Sequence, residues 1–214
     1  MGLPHAMDVL SNIPFLVLGG IGLVCHFSDR LDYSNSAMRT SGLVFFVGFV
    51  LTAFGSAYYH LNPNDRGLAW DRMGIVVAFA GVLGLLAAHR VSVRSAHLLL
   101  PLALVGGVLS VAWFAATNSI TPYVVVQFGG IALVAGFCWL PTHGKGPNWA
   151  ALIAAYALAK VLEMQDPEVL HLTQGLISGH TLKHVFAALA ALAVLLPLVH
   201  RRRSAVPLMN DTLD

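Results

Sequence analysis

The sequence predicts an all-α integral membrane protein built as a seven-transmembrane helix bundle, and three observations predict it. The 214-residue chain is 57% hydrophobic and 10% charged, against about 25% charged in an ordinary soluble domain. Apolar runs of roughly 18–22 residues, the length at which a helix crosses a bilayer, recur along the whole sequence. The connections between these runs are short, so no separate soluble domain is expected. Strands are not expected either: a lone strand cannot satisfy its backbone in lipid, and the ~10-residue alternation of a barrel is absent.

The elements follow in order. The first run, 10–28, has no Lys or Arg before Arg30 and no small-residue cleavage site after it, so it reads as a span and not a signal peptide. The second, 41–60, ends in Ser56 and His60, and the third, 70–89, opens with Asp71 and Arg72. The fourth and fifth, 96–116 and 120–140, are almost wholly apolar. The sixth, 148–165, places Lys160 and Glu163 in its last turns, and the seventh, 177–200, opens with His180, Lys183 and His184. Residues 1–200 thus form one domain. Residues 201–214 lose hydrophobicity, contain Pro207 and read as a disordered cytoplasmic tail. Cys25 and Cys138, both apolar-flanked, read as small buried hydrophobes and not as a disulfide.

Net charge is only +2, and no nucleic-acid partner is expected. The distribution of basic residues says more. Arg30, Arg39, Arg90, Arg94, Lys145, Arg201, Arg202 and Arg203 fall on one side of the seven-span arrangement, against Arg66 alone in the loops of the other. By the positive-inside rule the amino terminus lies outside and the carboxyl terminus in the cytoplasm.

The unusual polar groups then sort to one side. Asp8, Ser11 and Asn12, Ser56 and His60, Asp71 and Arg72, Lys160 and Glu163, and His180, Lys183 and His184 all fall at outer helix ends. Ionisable groups at membrane depth are costly and mark reaction sites or pathways. Residues four apart share a helix face, so His180 and His184 can present two imidazoles to one point, while Ser56 and His60 share a face of the second helix. Three neutral imidazoles with an open fourth position describe a catalytic zinc site, where the pKa of bound water falls to about 7. Asp71 is then the candidate general base and Ser56 a candidate for holding an oxyanion. Taken singly, each residue has a structural reading: Ser56 could bond a backbone carbonyl and Asp71 could cap its helix. Lys160 and Glu163 most simply form an ion pair. With Tyr156 and Lys183 they are candidates for lining a substrate pocket. His143, His171 and His200 lie in loops or at a helix end and receive no role.

The motifs Gly-Ser-Ala-Tyr-Tyr-His at 55–60, Trp-Asp-Arg at 70–72 and Ser-Gly-His-Thr-Leu-Lys-His at 178–184, with Ser11-Asn12 as a weaker fourth piece, resemble the alkaline ceramidase family. That family belongs to the seven-helix membrane hydrolase superfamily that also contains the adiponectin and progestin receptors. The resemblance implies zinc on His60, His180 and His184, with Ser56 and Asp71 completing the catalytic group. It also implies hydrolysis of the amide of an N-acyl, ceramide-like membrane lipid to a fatty acid and a free amine. Two departures stand out. The eukaryotic enzymes carry an acidic, calcium-binding lead, whereas Asp8 is the sole carboxylate ahead of the first span, which argues against calcium. Lys183 stands between the histidines where those enzymes tend to have aromatic residues, which favours an acidic or phosphate headgroup. The short termini and Ala-, Gly- and Val-rich helices point to a bacterial inner membrane. Two other functions remain open: a lipid-binding receptor or sensor with a structural zinc, and a proton or metal transporter. Transport calls for polar groups on both sides of the midplane, and they concentrate on one. The sequence does not speak to oligomeric state.

Overall fold

The computed structural model describes residues 5–200. It is helical, and among these residues the one β-type contact is an isolated bridge between Leu31 and Val199. Nine helical segments follow one another: α1 (Ala6–Leu10), α2 (Ile13–Phe27), α3 (Ser36–Leu61), α4 (Asp65–Arg90), α5 (Val93–Thr117), α6 (Thr121–Phe137), α7 (Trp149–Met164), α8 (Asp166–Leu172) and α9 (Gly179–Leu198). The segment from Ala6 to Phe27, together with α3, α4, α5 and α9, is long and apolar enough to cross a membrane; α6 is a shorter apolar helix. This is a helical membrane protein. The expected tail, 201–214, lies outside the described residues.

Local chemistry sets the helix starts. Asn35, Asn64, Ser92, Asn148 and Ser178 each stand at an N-cap and accept a hydrogen bond from the backbone N–H three residues on, the exchange that satisfies an otherwise orphaned donor. These caps correct the boundaries expected from hydropathy. Helix α3 begins at Ser36 and not 41, and α4 at Asp65 and not 70. Polar first turns (Ser36, Arg39 and Thr40; Asp65 and Arg66) hide the true starts from an apolar count. The first run is two helices, interrupted at Ser11 and Asn12 just ahead of Pro14. Helix α6 ends at Phe137, short of the expected 140, and the short α8 was not foreseen.

Helix α4 is the axis of the bundle: 78% of its apolar window is buried, against 22% for α5. Phe45, Phe46, Phe49, Leu85, Val194 and Leu198 form the core around it. The outer face is apolar as well. On α5, Leu98, Leu102, Val105, Leu109 and Trp113 recur at helical spacing and are each more than half exposed, an apolar stripe that a water-soluble surface does not carry and a lipid-facing one requires. Close approach of α3 to α4 depends on Gly55, where a Cβ would collide with the carbonyl oxygen of Trp70. That contact sets Ser56 and His60 beside the turn of α4 that bears Asp71. Helix α6 packs on α4 and α5 while α7 packs on α9. Between α6 and α7 lies a cleft, bridged where Gln127 Nε2 donates to Tyr156 Oη at 3.1 Å.

Candidate metal centre

The three histidines arrive from two helices. His60 stands in the last turn of α3; His180 and His184 occupy the first two turns of α9. Gly179 lets α9 start hard against α7, since a Cβ there would strike the carbonyl oxygen of Leu162. Asp166 Oδ1 accepts from the backbone N–H of His180 at 2.7 Å, and Asp8 Oδ1 accepts from Thr181 Oγ1 at 2.6 Å. Two carboxylates thus steady the N-terminus of α9, the end at which a helix favours negative charge.

One ligand atom from each of His60, His180 and His184 lies within 4.8 Å of the others. His60 Nε2 and His180 Nε2 are 3.1 Å apart, close to the edge of about 3.3 Å that a tetrahedron has when its ligands stand roughly 2.0–2.1 Å from zinc. His184 is set by Ser11. The Ser11 hydroxyl donates its only proton to the Asp8 carbonyl at 2.9 Å, so at 2.8 Å from His184 Nδ1 it accepts. His184 is therefore protonated on Nδ1 and presents Nε2 as a lone pair, the tautomer a metal needs, held from behind as ligating histidines usually are. The donor set fits a metal ion that prefers imidazole nitrogen, zinc among them.

His180 and His184 face a cavity of about 480 Å³ whose wall also includes Ser56, Asp71, Arg72, Tyr156, Lys160, Glu163 and Lys183. Of the residues expected at the site, all but His60 line this one space, and His60 reaches it through His180. Ser56 is 1% exposed, and its Oγ has no hydrogen-bond partner, so it does not bond a backbone carbonyl. Asp71 does not cap α4, because Asn64 does, and it sits in the second turn and not at the helix start. Lys160 pairs with Glu163 at 2.7 Å, and Lys183 joins the same carboxylate at 3.1 Å. Most of the rest of the wall, including Phe45, Phe49, Ile131, Val134, Leu152 and Ala190, is apolar, with Thr52, Tyr59, Tyr123 and Gln127 among it.

Three participants carried no role on sequence grounds. Ser11 was visible as part of a polar pair, but its function as the support of His184 depends on a contact 173 residues away. Asp166 gives no sequence signal, since its role is to meet a backbone N–H across a loop. Arg72 was visible beside Asp71 and is discussed below. Cys25 and Cys138 are free thiols. His97, His143, His171 and His200 are exposed. Comparison of the chain with protein-family models, with curated proteins and with solved structures finds no match.

Proposed function

We propose that this chain is a seven-span membrane hydrolase that holds zinc on His60, His180 and His184 and cleaves the amide of an N-acyl lipid. What carries the reading is a group of three convergent imidazoles, two of which line a cavity together with a serine hydroxyl unpartnered among the described residues, a carboxylate and many aliphatic and aromatic side chains. Zinc there supplies Lewis acidity and a water acidic enough to ionise near neutral pH. The chain's own residues do the rest. Ser56, buried and unengaged, donates to the oxyanion that forms on the acyl carbonyl. Asp71 takes a proton from water and returns it to the departing nitrogen as the C–N bond breaks, leaving a fatty acid and an amine. Ser11 keeps His184 in one tautomer. The acyl chain lies along Phe45, Phe49 and Leu152, and the cleft between α6 and α7 suits entry sideways from a leaflet. The bias of basic residues supports an amino terminus outside and a site on the face away from the cytoplasm, and the Ala-, Gly- and Val-rich helices support a bacterial inner membrane.

The test is incubation of the purified protein with a broad lipid extract, read by mass spectrometry. Release of free fatty acid is expected from wild type and is expected to fall by about 10²–10⁴-fold in Asp71→Ala. Unchanged lipids together with a tightly co-purifying one would instead indicate a sensor that uses the metal for structure.

A further inference from the structure

We propose that the cavity takes a lipid whose headgroup is an anion, and that Arg72 is the group that receives it. The inference rests on reading the cavity as a lipid site, but not on cleavage of the lipid. Arg72 follows Asp71 on α4 and lines the same cavity. Its guanidinium carbon stands 4.1 Å from the ring centroid of Phe114 and 5.2 Å from that of Tyr123. Aromatic faces attract a guanidinium and fix its plane, but they accept nothing along its N–H edge. Nη1 is buried there with no hydrogen-bond partner, and no carboxylate among the described residues forms an ion pair with Arg72.

The other charges on the wall do not supply that partner. Lys160 and Lys183 share Glu163. Asp71 is the neighbour of Arg72 in sequence, and adjacent side chains on a helix point apart. Counting side chains alone, before the charge of any bound metal ion, three cations (Arg72, Lys160 and Lys183) face two carboxylates (Asp71 and Glu163), a surplus of one positive charge in a largely apolar space. A lysine could shed its proton in such a place, but an arginine does not. The surplus stays, and the unpartnered Nη1 is a donor that a carboxylate or phosphate would engage through a charge-assisted hydrogen bond. A neutral headgroup would leave it unsatisfied.

The experiment measures equilibrium binding of oleyl phosphate and of oleyl alcohol to the intact, zinc-loaded protein in detergent. The two probes share a chain and differ in the anion. Neither contains an amide, so the result is independent of whether the protein hydrolyses anything. Wild type is expected to prefer oleyl phosphate by roughly tenfold or more. Arg72→Gln is expected to reduce the preference to within about twofold while binding of oleyl alcohol holds, and Arg72→Lys to retain part of it as a point charge. The proposal is overturned if wild type shows no preference, or if Arg72→Gln keeps it, which would place the anion elsewhere. It is also overturned if Arg72→Gln weakens both probes equally, the signature of a purely structural cation–π role. Binding of inorganic phosphate alone, as tight as that of the lipid phosphate, would reassign the site to a free anion.

Discussion

Buried histidines occur at both ends of this bundle, and they are built to opposite specifications. At the end bearing the 138–148 loop, His89 is 3% exposed and both its ring nitrogens are used. Nδ1 accepts from the Trp149 indole at 2.9 Å. An indole N–H can only donate, so the proton of His89 sits on Nε2, which donates to the Gly144 carbonyl at 3.2 Å. The ring stacks on Trp149, and the His89 carbonyl receives the backbone N–H of His143 at 2.9 Å. His89 is a latch that ties a loop and α7 to the central helix, with no valence left over. At the other end, His60 and His180 turn Nε2 toward each other at 3.1 Å, and Ser11 holds only one side of His184. Burial does not separate the two cases, since His60 and His184 are each 5% exposed. What separates them is where the ring nitrogens are spent: both of His89 are used within its latch, whereas His60, His180 and His184 bring one nitrogen each to a common point that could hold a metal ion, with Lys183 Nζ 3.3 Å from His180.

The sharpest break of that contrast is deletion. His180→Ala is expected to lower bound zinc from about one per chain to below about a tenth, whereas His89→Ala leaves the metal in place and lowers the melting temperature; metal analysis beside thermal unfolding reads both. Equal loss of zinc in the two variants would erase the distinction. A smaller effect should follow from the support behind the ligand: Ser11→Ala frees the His184 tautomer and is expected to weaken zinc about 10–100-fold, measured by competition with a chelator. Trp149→Phe acts on the other end. It keeps the stacking ring, removes the donor to His89 Nδ1 and is expected to cost about 1–3 kcal/mol of stability with unchanged zinc content.

The smallest effect is expected at the exposed Lys145–Asp32 pair, 2.9 Å apart in the loops near His89. Lys145 holds the Asp32 carboxyl below the usual carboxylate range, first by hydrogen bonding and then by charge. Because the folded pKa is lowered, whatever the pair contributes is present above the unfolded value of about 3.9 and is lost as the pH falls through the folded one. Lys145→Met should scarcely move the melting temperature at neutral pH, as is usual for exposed pairs, and should flatten its decline in acid.

Much of the site was legible because its chemistry is anomalous against its background. A histidine, an aspartate or a lysine in an apolar chain is expensive enough to be noticed, and the four-residue spacings put Ser56 with His60 and His180 with His184 on common faces. Helix starts were less legible, because Asn35 and Asn64 act six residues before the apolar runs begin.

The sequence by itself determined that this is a helical membrane protein whose costly side chains fall at matching helix ends, because hydropathy and periodicity are local properties. Only the tertiary structure decided which histidines converge, since His60 meets His180 across 120 residues, with Gly55 allowing α3 close to α4 and Gly179 allowing α9 close to α7. It also decided that the Ser11 hydroxyl fixes the tautomer of His184 and that, among the described residues, Ser56 has no competing partner and Arg72 no counter-ion. Satisfaction of a polar group is a fact about its neighbours in space, and a chain written in one dimension does not contain them.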